Sequence, residues 1–500
     1  MSATKRPGVA THYVRYLGGN LLVMLASFVS FPLMARLLDN HEFGVLGYYE
    51  TWLLVAVGVL KLGTQHAILR FYPHGGDEHA LARFGTNHLL VPLLLSLLLW
   101  LACLATMIAI DVHTPLPERG VVFVVLLTIP VSIWCSFSEW ILLTLERSDL
   151  VVRLRVLWRW GEVAAVLLVV GLVDRSAHGA FLAKLAAALG AGAWLWAWAR
   201  RHVRFRLSML DRGSVFAGFA FGLPMMVNEM INLLFAFADR VLLKHILGNF
   251  TAVGVYTIGY GLAVALSNVL HQALYQAFTP AAVRIYEGEG AAAIVRLKRE
   301  VLGVMIYPIG LATAWLLTAG SDLMITLAGE AKAASAPVFV VSCLAMAWFP
   351  LFDIGGYGLL LQKRSRRYLL VTGSAGLLNV LLNVALIPAM GVMGAVTATA
   401  ISYVYLTIVH VHACPAELRA LPPPAVFARV AVATVVATAA GMLAGVLAPD
   451  VRIARLALVV VVAGIAYVVV ALTLDRTLWA AIRRQLDGFL ARARAADAVD

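Results

Sequence analysis

Runs of about twenty apolar residues, the length that crosses a bilayer core as a helix, follow one another from residue 14 to residue 474 of this chain. Short charged or Gly/Pro-bearing connections separate them. The runs are continuous and do not alternate, so they read as helices and not as the strands of a membrane barrel. A water-soluble surface needs roughly 25% charged residues; this chain has 13%. A soluble multidomain protein is thereby excluded. The punctuation divides the chain into fourteen runs, the first at 14–37, the second at 44–68 and the last at 455–474. The fold class is therefore an all-α polytopic membrane protein with about 14 transmembrane helices. The fifth run, 154–173, is the weakest, because Arg153, Arg155, Arg159 and Glu162 crowd its start.

The basic residues test that segmentation. Of the 39 Lys and Arg, 29 fall on one set of alternate connections and 8 on the other. Such a bias marks the cytoplasmic side and fits an even number of spans, so both termini are expected in the cytoplasm. The net charge of +12 is then a topology signal, with no nucleic-acid partner implied. Thr477–Ala496 is amphipathic and is expected to lie on the cytoplasmic membrane surface. The four cysteines are scattered, with no CxxC or Cys/His cluster, so neither a metal site nor a disulfide framework is expected. No P-loop, HExxH or GxSxG motif occurs, and no connection is long enough for a folded domain. The longest, around 279–300, is expected to extend the helices beside it. The sequence offers no catalytic constellation, and no cofactor is expected.

A weak internal repeat is present. Ala35-Arg36-Leu37-Leu38 is followed by Glu42-Phe43-Gly44-Val45 and a helix ending at Phe71-Tyr72-Pro73. Asp239-Arg240-Val241-Leu242 is followed by Val253-Gly254-Val255-Tyr256 and a helix ending at Phe278-Thr279-Pro280. The repeat starts lie about six spans apart. The expected organisation is an N-terminal lobe (1–212), a C-terminal lobe (213–415), two appended helices (416–475) and a cytoplasmic tail (476–500). Two six-helix lobes of this kind line a central cavity and alternate its access.

Three blocks then carry a resemblance. The stretch ARLLDNHEFGVLGYY at 35–49, the seventh-helix region 221–260 and the hairpin LLNVLLNVALIPAMGVMGAVTATAISYVY at 377–405 resemble those of Wzx-type oligosaccharide flippases. These form the polysaccharide transporter branch of the multidrug/oligosaccharidyl-lipid/polysaccharide exporters. Asp39 departs from the glycine common in that family. The resemblance implies a flippase that moves polyprenyl-pyrophosphate-linked oligosaccharide repeat units from the cytoplasmic to the outer leaflet of the inner membrane. It implies service to lipopolysaccharide or exopolysaccharide synthesis, with polymerase or assembly proteins as partners beside membrane lipids. A multidrug antiporter of the same superfamily is the alternative reading; a membrane polymerase or glycosyltransferase lacks the outer loop it needs.

Ionisable residues inside a membrane are costly unless paired or hydrated. An anionic pyrophosphate cargo calls for cations, and Lys61, Arg36, Arg240 and Lys244 are the candidates. Two readings of Lys61 stand, cargo contact and a paired structural lysine. Arg36 and Arg240 occupy equivalent ends of the repeat, where interfacial placement or pairing with Asp39 or Asp239 competes with cargo contact. Glu229, Glu139 and Asp353 are candidates for coupling to a proton, or to sodium with help from nearby Asn oxygens. His271, Asn228 and Asn232 are further polar candidates for the cavity. Asn379 and Asn383, four residues apart, read as hydrogen-bonding glue between helices.

Overall fold

The computed structural model describes residues 9–74, 76–145 and 147–475, and their side chains apart from 9–17, 269–274 and 276–277. The described residues form sixteen α-helices and no strand. They are α1 (Val9–Leu37), α2 (Asn40–Leu60), α3 (Gln65–Phe71), α4 (Glu78–Gly85), α5 (Val91–His113) and α6 (Arg119–Thr144). α7 (Ser148–Leu172), α8 (Ala177–His202), α9 (Arg212–Leu247), α10 (Phe250–Glu289) and α11 (Ala291–Ala328) follow. α12 (Ala336–Gly356), α13 (Ser365–Met390), α14 (Val392–Ala413), α15 (Pro424–Leu447) and α16 (Arg452–Leu474) complete the chain.

Thirteen helical segments among the described residues are long and apolar enough to cross a membrane. α7 stands outside that set. It has the length, 25 residues, but carries the four charges that weakened it in the sequence. Large apolar side chains such as Leu98, Leu172 and Val446 are exposed on the helices, as a lipid environment allows. This is a multi-pass membrane protein. The basic stretch around 279–300 does extend its helices: α10 runs to Glu289, and α11 begins after Gly290 at φ 84°. The tail at 477–496 lies outside the described residues.

The chain forms two compact units. The first comprises Met1–Ile258 and Gly376–Ala398. Its core joins Ile129, Ile133 and Phe137 of α6 to Leu60, Ile68, Phe84 and Leu89. α7 packs between α1 and α8. α2 and α10 meet through glycine: a Cβ on Gly44 would lie 1.8 Å from Phe250 O, and one on Gly254 would lie 1.8 Å from Asn40 O. Asp39 caps α2, its carboxylate accepting from Glu42 N at 2.8 Å, which gives the family-atypical aspartate a local role.

The second unit comprises Gly259–Ala375 and Thr399–Asp500. α11 packs against α12, α15 and α16. Gly310 keeps α11 close to Val430 and Tyr467, either of which a Cβ there would strike. Polar clamps hold both ends of α16. Arg455 donates twice to Asp322, at 2.9 and 2.7 Å. Beyond the other end, buried Asp475 accepts from Tyr307 Oη at 2.5 Å and from Arg429 at 2.9 Å.

Candidate functional site

The second apolar run is not one helix. α2 ends at Leu60, Leu62 and Gly63 take positive φ (54° and 68°), and α3 starts at Gln65. This corrects the expectation that 44–68, with Lys61 inside it, is one continuous span. Lys61 caps α2, at a break. Backbone groups freed within a bilayer must find partners, and they do: Ser96 Oγ donates to Leu60 O at 2.6 Å, and Thr64 Oγ1 to Lys61 O at 2.7 Å. The tertiary cause is close backbone packing. A Cβ on Gly63 would sit 1.9 Å from Gly222 O of α9.

That approach brings α9 to the break. Lys61 Nζ lies 3.2 Å from Glu229 Oε1, and Gln65 Nε2 donates to Glu229 Oε2 at 2.9 Å. The Lys61 side chain is 9% exposed and that of Glu229 31%. His66 packs edge-on against Trp140 and lies within electrostatic reach of both members of the pair. A cation candidate and a coupling candidate, read separately in the sequence, are thus one ion pair.

A second group lies on α2, α7, α8 and α9. Lys184 Nζ meets Glu50 Oε1 at 2.7 Å. Arg240 and Arg159 are further electrostatic neighbours of Glu50. Arg159 also donates to Ser27 Oγ at 3.1 Å and to Glu162 at 3.1 Å. Arg240 is buried, with its guanidinium 4.9 Å from the Phe237 ring centroid. Its Nε has no hydrogen-bond partner among the described residues. Three cations therefore gather about one carboxylate. The sequence reading singled out Arg240 but not Glu50 or Arg159. The available signal was the i, i+3 pair Arg159/Glu162, facing the Ser27/Ser30 face of α1.

The remaining candidates disperse. Glu139 pairs with Arg155 at 2.6 Å. Lys244 bonds Gly248 O at 2.9 Å and lies 4.1 Å from the Phe250 ring centroid. Arg36 is exposed in the last turn of α1. Asn228 and Asn232 are exposed on α9, with Asn232 Nδ2 donating back to Asn228 O. The His271 side chain lies outside the described residues. Asp353, in the second unit, is buried against His410, with Nδ1 to Oδ1 at 2.9 Å. Tyr368 packs edge-on against His410.

Asn379 and Asn383 do more than join helices. Asn383 Nδ2 donates to Asp239 Oδ1 at 2.7 Å and to Asn379 O at 2.9 Å. Tyr256 Oη donates to the other Asp239 oxygen. A buried carboxylate is thereby held by α10 and α13. Among the described residues no group of three or more His, Cys, Asp or Glu could hold a metal ion.

The sequence model of the polysaccharide biosynthesis protein family matches residues 13–286. No curated protein matches the chain by sequence. Solved structures match its fold. The lipid II flippase MurJ, in an inward closed conformation, is 10% identical over 94% of this chain and 99% of its own, at a TM-score of 0.71. An inward-facing MATE family multidrug resistance transporter of the MOP superfamily is 14% identical over 82% of this chain and 94% of its own, at 0.59. A MOP superfamily transporter from Pyrococcus furiosus, with a binding pocket of reversed polarity, is 16% identical over 82% and 97%, at 0.54. The chain belongs to the polysaccharide biosynthesis protein family and is built on the fold of the MurJ and MATE transporters.

Proposed function

We propose that the chain is a flippase for polyprenyl-pyrophosphate-linked oligosaccharide repeat units, carrying them from the cytoplasmic to the outer leaflet of the inner membrane. The observation that carries this reading is the gathering of Lys184, Arg240 and Arg159 about Glu50. A pyrophosphate offers several acceptor oxygens. It can displace the carboxylate from Lys184 and take the guanidinium groups in two-point contact. A cationic drug would meet like charge there. Family membership supports the pathway, cell-envelope or exopolysaccharide synthesis, and the lipid-linked cargo of MurJ supports the cargo class. Lobes 1–212 and 213–415 alternate access, both termini face the cytoplasm, and polymerase or assembly proteins receive the product.

The same reading assigns proton coupling to Asp353 and His410. The pair sets a carboxyl against an imidazole at 2.9 Å, both buried, two groups between which a proton can be held. Glu229 and Glu139 are instead engaged in ion pairs with Lys61 and Arg155.

The test is transfer of a lipid-linked oligosaccharide between leaflets of vesicles holding the purified chain. Lys184→Ala and Arg240→Ala should each slow transfer about tenfold or more, the worth of a lost charge-assisted contact. Absence of transfer by the unaltered chain, with export of a cationic dye, would replace this reading by the antiporter.

A further inference from the structure

The connection from α8 to α9 concentrates charge and apolar surface. From Arg200 to Arg212 it carries Arg200, Arg201, His202, Arg204, Arg206 and Arg212. Its acid, Asp211, is engaged by Arg83 and Ser214. Between the arginines, Phe205 (44%), Leu207 (74%) and Leu210 (54%) are exposed. A loop in water would not present these side chains together. The headgroup layer of a membrane accommodates both kinds, arginines at the phosphates and apolar side chains below them.

Two apolar clefts flank α8. One, of about 470 Å³, lies between α7 and α8 and is lined by Trp158 and Trp194 among smaller side chains. The other, of about 370 Å³, lies along α5, α6 and α8, and Phe205 itself lines it beside Trp196. Both volumes fall within the roughly 300–1,000 Å³ of ligand clefts. The second cleft therefore meets the basic connection directly. The first continues into it by helix geometry: Arg201 follows Trp194 by two turns, and Arg153 precedes Leu157 by one. The side chains of Arg153, Arg200, Arg201 and Arg204 have no ion pair or hydrogen bond among the described residues. In the first cleft, Gly161 and Gly190 have open space where a Cβ would stand. Glycine weakens a helix interior, and no protein neighbour requires it at either position.

We propose that the C-terminal end of α8 binds an anionic glycerophospholipid. Its phosphate sits on Arg200, Arg201 and Arg204, and its acyl chains lie in the clefts on either side of α8. Charge complementarity selects the headgroup, and the clefts take the chains. The site lies apart from the Glu50 group and does not rest on the cargo assigned above.

Native mass spectrometry of the full chain in a neutral detergent tests this, with phosphatidylglycerol and phosphatidylcholine of identical chains as probes. Phosphatidylglycerol should be retained about tenfold more tightly, as expected for contacts with several arginines near a headgroup. The triple variant R200Q/R201Q/R204Q should lose that preference. The variant G161L/G190L, which fills one cleft and leaves the charges, should retain less of either lipid. Equal retention of the two lipids by the unaltered chain would overturn the proposal without recourse to any variant. So would an unchanged preference in the arginine variant, unchanged retention in the glycine variant, or displacement of phosphatidylglycerol by equimolar polyprenyl phosphate.

Discussion

Replacing Glu229 by Gln should destabilise the chain more than replacing Lys61 by Met, although both changes break one ion pair. The asymmetry follows from burial. The Lys61 side chain is 9% exposed, and Glu229 is its ion-pair partner. Removing that carboxylate strands an ammonium in a dry environment, which costs about 3 kcal/mol. Glu229 is 31% exposed and also accepts from Gln65. Removing Lys61 leaves it partly hydrated and hydrogen-bonded, at about 1–2 kcal/mol. The double variant K61M/E229Q strands neither charge and should lie within about 1 kcal/mol of the unaltered chain.

The assay is thermal unfolding of the purified chain in detergent. Unfolding entropy scales with length, so a chain of this size shifts its midpoint by on the order of 1 °C per kcal/mol. E229Q should therefore lose about 3 °C, K61M about 1–2 °C, and the double variant about 1 °C or less. A larger loss for K61M than for E229Q, or a double variant with the summed loss of both, would refute the reasoning. Transport by the double variant then tests whether Lys61 is structural alone. A stable, active double variant makes the lysine structural; a stable, inactive one gives the ion pair a part in transport.

Gly63→Ala forces a left-handed residue and a methyl group onto Gly222 O; strain and overpacking together should cost about 2–5 kcal/mol, read as a lowered midpoint. Gly44→Ala and Gly254→Ala meet equivalent backbone atoms at the same distance, so their midpoints should fall by similar amounts, within about 1 kcal/mol of each other. Asp475→Ala leaves the Tyr307 hydroxyl and the Arg429 guanidinium without their shared acceptor, and hydrogen exchange in α16 should rise by an amount equivalent to about 1–3 kcal/mol. Hydrogen bonds from Ser214 and Arg83 and from Gly213 N–H hold the Asp211 carboxyl well below the usual carboxylate range. Its stabilising contribution is present above the ordinary carboxylate pKa and lost as pH falls through the lowered value. The midpoint difference between the unaltered chain and Asp211→Asn should thus be constant near neutral pH and shrink in acid.

The helices were legible because each is set by its own run of residues. Even the α13–α14 hairpin, read within the block 377–405, turns where Gly391 takes φ 58°. The break after Lys61 was not legible, although Gly63 stood in the sequence. The stretch from Val57 to Leu62 is as apolar as its surroundings, apart from the lysine itself. The turn is imposed by Gly222, more than 150 residues away. The pairing of charges escaped for a related reason. A helix that is apolar all round carries no stripe to say which face meets protein and which meets lipid. Glu229 could be seen to lie within a span but not to face Lys61. Burial adds nothing to the pattern, because lipid and protein interior select the same residue types.

Glycine behaves differently, and the repeat shows why. Gly44 meets the carbonyl of the residue four before Gly254, and Gly254 meets the carbonyl of the residue four before Gly44. Such reciprocity is the signature of a contact across a two-fold relation, where i touches j and j touches i. The two glycines were matched in sequence as corresponding positions of two hairpins. Corresponding positions meet each other only on or near the axis that relates their elements. The local symmetry of α2 and α10 thus follows from two observations that do not share a source, the order of residues along the chain and the contact of backbones in space. Close approach excludes any side chain at both positions, so the axis is marked in the sequence by the residue that has none.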